Sequence, residues 1–127
     1  IAPWGELLST RSQYLKAAGC LTYGSVRDVK RIRQMNFPVF AGNIGPLDSK
    51  HRGKLMWYDV PGKIHGVNVN SGDFIFGDVD GVVIVPQQIT AEVVEKALQK
   101  VREENQVRGM LENGVSLAKA FEEHGIL

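Results

Sequence analysis

The chain has 127 residues, 43% of them hydrophobic and 23% charged, a length and balance that fit one globular domain, residues 1–127, with a buried core. Its 15 basic residues stand against 14 acidic ones for a net charge of +1, with no long basic run, so no nucleic-acid partner is expected. No apolar stretch approaches the roughly 20 residues that span a bilayer, no basic-then-apolar leader opens the chain, and the single Cys20 has no internal disulfide partner. These features lead us to expect a soluble, cytoplasmic protein with no membrane partner.

The opening IAPWGELL carries no initiator Met and starts as if within a structural unit, so the natural chain is expected to be longer. From Gly5 to about Ala18, Leu7, Leu8, Tyr14, Leu15 and Ala18 recur at helical spacing, and Gly19 offers a helix stop. Cys20 to Tyr23 reads as a short buried strand, with Cys20 as a buried thiol, and Gly24 to Val26 as a turn. Asp28 to Met35 reads as a second helix with Val29, Ile32 and Met35 facing the core.

FPVFA, Phe37 to Ala41, reads as another strand, with Pro38 near its start where a missing N–H is tolerated. A loop carrying Gly42, Gly45, Pro46 and Gly53 follows. KLMWYDV, IHGVNV, DFIFGD and VVIV have strand character, punctuated by turn signals at Pro61-Gly62, Ser71-Gly72 and Asp80-Gly81. After Pro86 a long amphipathic helix runs from Ile89 to about Glu112, and SLAKAFEEHG forms a last short one. The expected class is mixed α/β, helices at both ends around a β-rich middle.

The three histidines are scattered without the close pairing of zinc sites, and no histidine lies near Cys20 in sequence. GDVDG, Gly77 to Gly81, looks like the start of a calcium loop, but Val82 stands where a third oxygen is needed, so a hairpin turn accounts for it better. Two charged elements remain. Glu6 falls in the first turn of the first helix, and 20 residues separate it from Arg27-Asp28 at the start of the second. Acids at helix amino ends complement the helix dipole, and Asp28 suits an N-cap, so a purely structural role accounts for them. A functional role also fits: if both helices open at one end of a sheet, Glu6 and Asp28 offer hard oxygen donors and Arg27 a fixed cation, a place for a divalent metal and a carboxylate substrate.

GELLST, the 20-residue gap, GSVRD, FPVFA, VNSGDFIFGDVDGVVIVP and the closing ENQVRGMLENGVSLAKAFEEHGIL resemble the family of 4-hydroxy-4-methyl-2-oxoglutarate aldolases and regulators of ribonuclease activity A. The resemblance covers nearly the whole chain but lacks the family's amino-terminal portion, and it implies a β/β/α swivelling-domain-like architecture. It also implies a metal-dependent lyase that cleaves 4-hydroxy-2-oxo acids to pyruvate and decarboxylates oxaloacetate. The acid, gap and Arg-Asp pattern marks the aldolase branch. By resemblance, Asp28 ligates Mg2+ or Mn2+ and Glu6 holds the metal through water. Arg27 contacts the oxygen that becomes the enolate, and the GELL turn, Gly5 with the amides of Leu7 and Leu8, takes the carboxylate of a small oxo-acid substrate.

The resemblance further implies a homotrimer or dimer of trimers with the site at a subunit boundary, completed by an acid from a neighbour's carboxy-terminal helix. Glu104, or with less support Glu103, occupies the matching REENQVR segment, although a solvated helix face explains either residue equally well. Tyr23 stands where the family often has Asp, and Ser71 where it usually has Pro. The alternative from another class is a non-catalytic regulator that binds a ribonuclease or other protein, for which the trio Glu6, Arg27 and Asp28 would have no use.

Overall fold

The computed structural model describes residues 1–125. Its elements run α1 (Glu6–Tyr14), β1 (Cys20–Val26), α2 (Val29–Gln34), β2 (Val39–Ile44), β3 (Gly62–Ile64), β4 (Val67–Val69), β5 (Phe74–Gly77), β6 (Val82–Val85), a 3-10 turn at Gln87–Ile89, α3 (Thr90–Glu112) and α4 (Leu117–His124). The mixed α/β class holds. Contacts divide the chain into two compact units, Ile1–Ile84 and one that begins at Val85.

In the first unit β1 and β2 pair in parallel, Cys20 opposite Val39 and Val26 opposite Ile44, with a bulge between Thr22 and Ser25. Helix α2 connects them, as a parallel pair requires a crossover. The bulge explains why the strand does not stop at Tyr23: the expected turn at Gly24 to Val26 is instead the continuation of β1 past an irregularity. Gly24 and Gly42 serve close approach here, since a Cβ on Gly42 would lie 2.4 Å from the Tyr23 carbonyl oxygen. The amino-terminal residues run beside this pair, with Trp4 bridging Val26 and Ala2 bridging Asp48, both in parallel sense.

Helix α1 is shorter than its apolar spacing predicts. Leu15 caps it, and Lys16 takes the left-handed conformation (φ 61°) that Gly19 was expected to supply. Its inward residue is Ser9, fully buried, whereas Leu7, Tyr14 and Leu15 lie on the surface at 77%, 75% and 61% exposure. Polar satisfaction decides this orientation. Trp4 Nε1 donates to Ser9 Oγ at 2.8 Å, and Ser9 Oγ donates to the Gly5 carbonyl at 3.0 Å. Ser9→Ala leaves the indole N–H without its acceptor and is expected to cost about 1–3 kcal/mol. Urea unfolding followed by Trp emission checks this: the midpoint falls while the slope stays constant.

Residues 50–60 form no strand, so the strand expected in KLMWYDV is corrected: Leu55, Met56, Trp57, Tyr58 and Val60 are all exposed and find no pairing edge. IHGVNV instead folds back on itself, β3 pairing antiparallel with β4 around His65-Gly66, both with positive φ. β5 and β6 pair across the GDVDG segment. There Asp78 Oδ1 accepts from the Asp80 and Gly81 amides and the Asp78 amide donates to Gly81, the hairpin turn expected from the sequence.

In the second unit α3 and α4 pack together, with Val107 and Ala120 buried. Ser116 caps α4 by accepting from the Lys119 amide, and Gly125 closes it with φ 67°.

Candidate functional site

Strand β1 ends at Val26, and the next two residues carry the charged pair to the amino end of α1. Arg27 is anchored through its backbone, its amide donating to the Trp4 carbonyl at 3.0 Å. Asp28 then takes φ 58° and ψ 29°, a left-handed conformation that Asp tolerates better than most residues but that still costs on the order of 1 kcal/mol. It holds the N-cap position of α2, yet its side chain makes no capping bond to that helix. The left-handed backbone turns the carboxylate toward α1, where Asp28 Oδ2 accepts from the Glu6 amide at 3.1 Å. Asp28 therefore caps the other helix, whose own N-cap is the side-chain-free Gly5.

That arrangement requires a glycine at position 5 for space, because its backbone is extended (φ −161°, ψ −170°), a conformation open to any residue. A Cβ there would sit 2.7 Å from Asp28 Oδ2, 3.0 Å from Arg27 Cγ and 3.1 Å from Arg27 Nε. The amides of Leu7 and Leu8 follow in the first turn of α1, where N–H groups have no intrahelical acceptor. The helix amino end thus offers donors beside a carboxylate and a guanidinium.

Arg27, partly buried, is held from several sides. Nη1 donates to the Ala2 carbonyl at 2.6 Å, Nη2 lies 3.6 Å from Asp48 Oδ2, and Nε lies 3.7 Å from Asp28 Oδ2. Glu6, 32% exposed at its side chain, pairs with Arg31 at 3.8 Å. Glu6, Asp28, Val29, Lys30, Arg31 and Gln34 line one open recess of about 410 Å³. Asp48 is held below the usual carboxylate range, chiefly by a hydrogen bond from the Lys50 amide, against the opposing effect of burial, with Arg27 and further cations assisting.

The structure therefore brings together Gly5, Glu6, Leu7, Leu8, Arg27 and Asp28. Glu104 belongs to the second unit, on α3, where it pairs with Lys100 at 3.8 Å, and Glu103 accepts from Gln99 at 2.9 Å. Asp48 and Arg31 were not singled out in sequence: Asp48 sits in a Gly- and Pro-punctuated loop and Arg31 on an unremarkable polar helix turn. Cys20 is half-buried and its thiol is pushed up to about 11 by burial, so it stays protonated and unreactive at neutral pH. Tyr23 stacks edge-on against His65 with ring centroids 4.6 Å apart. A larger, mainly apolar hollow of about 720 Å³ runs over β1 and β2 between Phe40, His65 and Val82, but its one acid, Asp78, is committed to its turn.

Among the described residues no group of three or more His, Cys, Asp and Glu side chains gathers to hold a metal. Among these residues, then, no all-protein cage of the zinc or calcium kind is formed. Mg2+ binds differently, through one or two carboxylates with water and substrate oxygens completing the shell. Asp28 and Glu6 line one recess and are oxygen donors of the type such a shell uses, and both contacts of the Asp28 carboxylate among the described residues fall on Oδ2.

Residues 1–84 match the protein family described as RraA-like, Aldolase/RraA. The chain belongs to this family. The RraA-like match spans the first unit and hence every residue of the recess. Protein DlpA of Legionella pneumophila is 34% identical over 121 residues, 95% of this chain and 20% of its own length. A 4-hydroxy-4-methyl-2-oxoglutarate aldolase of Thermus thermophilus is 36% identical over 70 residues, 55% of this chain and 42% of its own. An uncharacterized protein of Pseudomonas syringae has a crystal structure that superposes with a TM-score of 0.86 at 27% identity, covering 94% of this chain and 60% of that one. The chain spans less than half the length of these two curated relatives. No helix among the described residues is long and apolar enough to cross a membrane.

Proposed function

We propose that this RraA-like chain is the site-bearing part of a divalent-metal-dependent aldolase for short 4-hydroxy-2-oxo acids, 4-hydroxy-4-methyl-2-oxoglutarate among them. The same site would decarboxylate oxaloacetate. One observation carries the reading: Asp28 adopts a strained left-handed backbone to aim its carboxylate, beside Arg27, at the open amino end of α1. The same carboxylate caps α1 through the Glu6 amide, and strain held beside a guanidinium at a helix amino end is of the kind that functional sites keep.

Asp28 would hold Mg2+ or Mn2+ directly and Glu6 through water; when bound, the metal polarises the 2-oxo group and so supplies an electron sink. The substrate carboxylate would lie against the Leu7 and Leu8 amides, where the helix dipole favours negative charge. Arg27 would donate to the oxygen that gains charge as the C3–C4 bond breaks, stabilising pyruvate enolate. Glu6 is suited to accept the 4-hydroxyl proton through a water, since its carboxylate borders the recess. In the assembly we favour, a homotrimer, Glu104 of α3 would reach the site of a neighbouring subunit, and Leu7, Tyr14 and Leu15 would be covered.

Pyruvate release from 4-hydroxy-4-methyl-2-oxoglutarate and from oxaloacetate, with added Mg2+ or Mn2+ and again with excess chelator, tests the reading. Metal-dependent turnover of either substrate is the expected result. No turnover by the folded protein at any metal concentration would return the chain to the alternative of a non-catalytic regulator.

A further inference from the structure

Arg27 has five N–H donors in a planar fork, and the direction of that fork decides which oxygen it can serve. Three sides of it are occupied within this chain: Nη1 by the Ala2 carbonyl, Nε by Asp28 and Nη2 by Asp48. The Ala2 and Asp48 contacts are one device. Ala2 is fully buried, forms a parallel bridge with Asp48 and donates its amide to the Leu47 carbonyl at 2.7 Å. The carbonyl and the carboxylate that grip the two Nη atoms are thus tied through backbone. The Asp48 side chain is tied again by the Lys50 amide.

We propose that Asp48 is the positioning residue for Arg27, fixing the guanidinium plane so that Nε stays beside the Asp28 carboxylate at the amino end of α1. The proposal rests on the aldolase reading for what Arg27 does, but not for how Arg27 is held. A half-exposed ion pair at 3.6 Å adds little to stability. Orientation is a different quantity, because a shift of about 1 Å in a catalytic group can lower turnover about 100-fold. Asp48 is ionised throughout the neutral range, so the restraint does not titrate where the reaction is assayed.

Asp48→Asn tests this in the full chain, since the amide keeps an oxygen for the Lys50 N–H and removes only the charge facing Arg27. With oxaloacetate and saturating Mg2+, we expect kcat to fall about 10-fold with KM changed less than about 2-fold. Asp48→Glu should recover part of the loss. In an Arg27→Lys background the same substitution should cost nothing further, because the group it positions is gone. A second readout needs no turnover: the Arg27 Nε–H resonance of the substrate-free protein should shift and broaden in Asp48→Asn. Equal losses in both backgrounds, or an unmoved Arg27 resonance, overturn the proposal. An inactive parent protein would count against the aldolase reading alone and leave the resonance to decide the role of Asp48.

Discussion

Asp28→Asn is expected to fold like the parent protein and to lose pyruvate-forming activity by at least about 10³-fold, roughly 4 kcal/mol of transition-state stabilisation. Asn tolerates the left-handed backbone that position 28 adopts at φ 58° and still presents an oxygen to the Glu6 amide. What it lacks is the negative charge. Asp28→Ala should lose activity equally but also lose about 1–2 kcal/mol of stability, because Ala disfavours φ near +58° and cannot cap α1. Asp28→Gly separates the two effects: it relieves the backbone, gives up the cap, and should net near zero in stability while remaining inactive. Thermal unfolding and a coupled pyruvate assay on the three variants check the pattern. Turnover by Asp28→Asn within about threefold of the parent would mean that the charge is not used.

Gly5→Ala is expected to lower kcat/KM about 100-fold and stability by about 1–3 kcal/mol. The added methyl would lie 2.7 Å from Asp28 Oδ2, closer than nonbonded atoms tolerate, and within 3.1 Å of Arg27 Nε. Either the carboxylate and guanidinium move away or the amino end of α1 does, and each response separates the groups that the site needs together. Gly62→Ala is the matched control, since a Cβ there meets nothing within 4 Å. Steady-state kinetics and urea unfolding of the two variants make the comparison. Equal kinetics for Gly5→Ala and Gly62→Ala would show that the 5–28 contact is not part of the working site.

The residues of the candidate site could be singled out in sequence because they lie on local signals. Glu6 follows a glycine at a helix start, and Arg27-Asp28 follows a strand, so each could be placed at the end of an element without knowing the fold. The hairpin at Asp78 to Gly81 was readable for the same reason, since turn chemistry is confined to a few residues. Asp48 was not legible. Its loop separates it by 21 positions from Arg27, and only the bridge to Ala2 brings the two together. The apolar spacing of α1 misled in the other direction: the face turned inward is set by the need of Trp4 Nε1 for Ser9, and the leucines are left outside.

By itself, then, the sequence determined the α/β class, the order of most elements and the residues that can carry acid, base and cation chemistry, because periodicity, turn residues and charge are local properties. Tertiary structure decided three further things. It extended β1 through a bulge to Val26, left residues 50–60 without a strand partner, and turned the Asp28 carboxylate from its own helix onto α1. Each depends on backbone pairing or close approach between residues far apart in the chain, and no window of neighbouring residues contains that information.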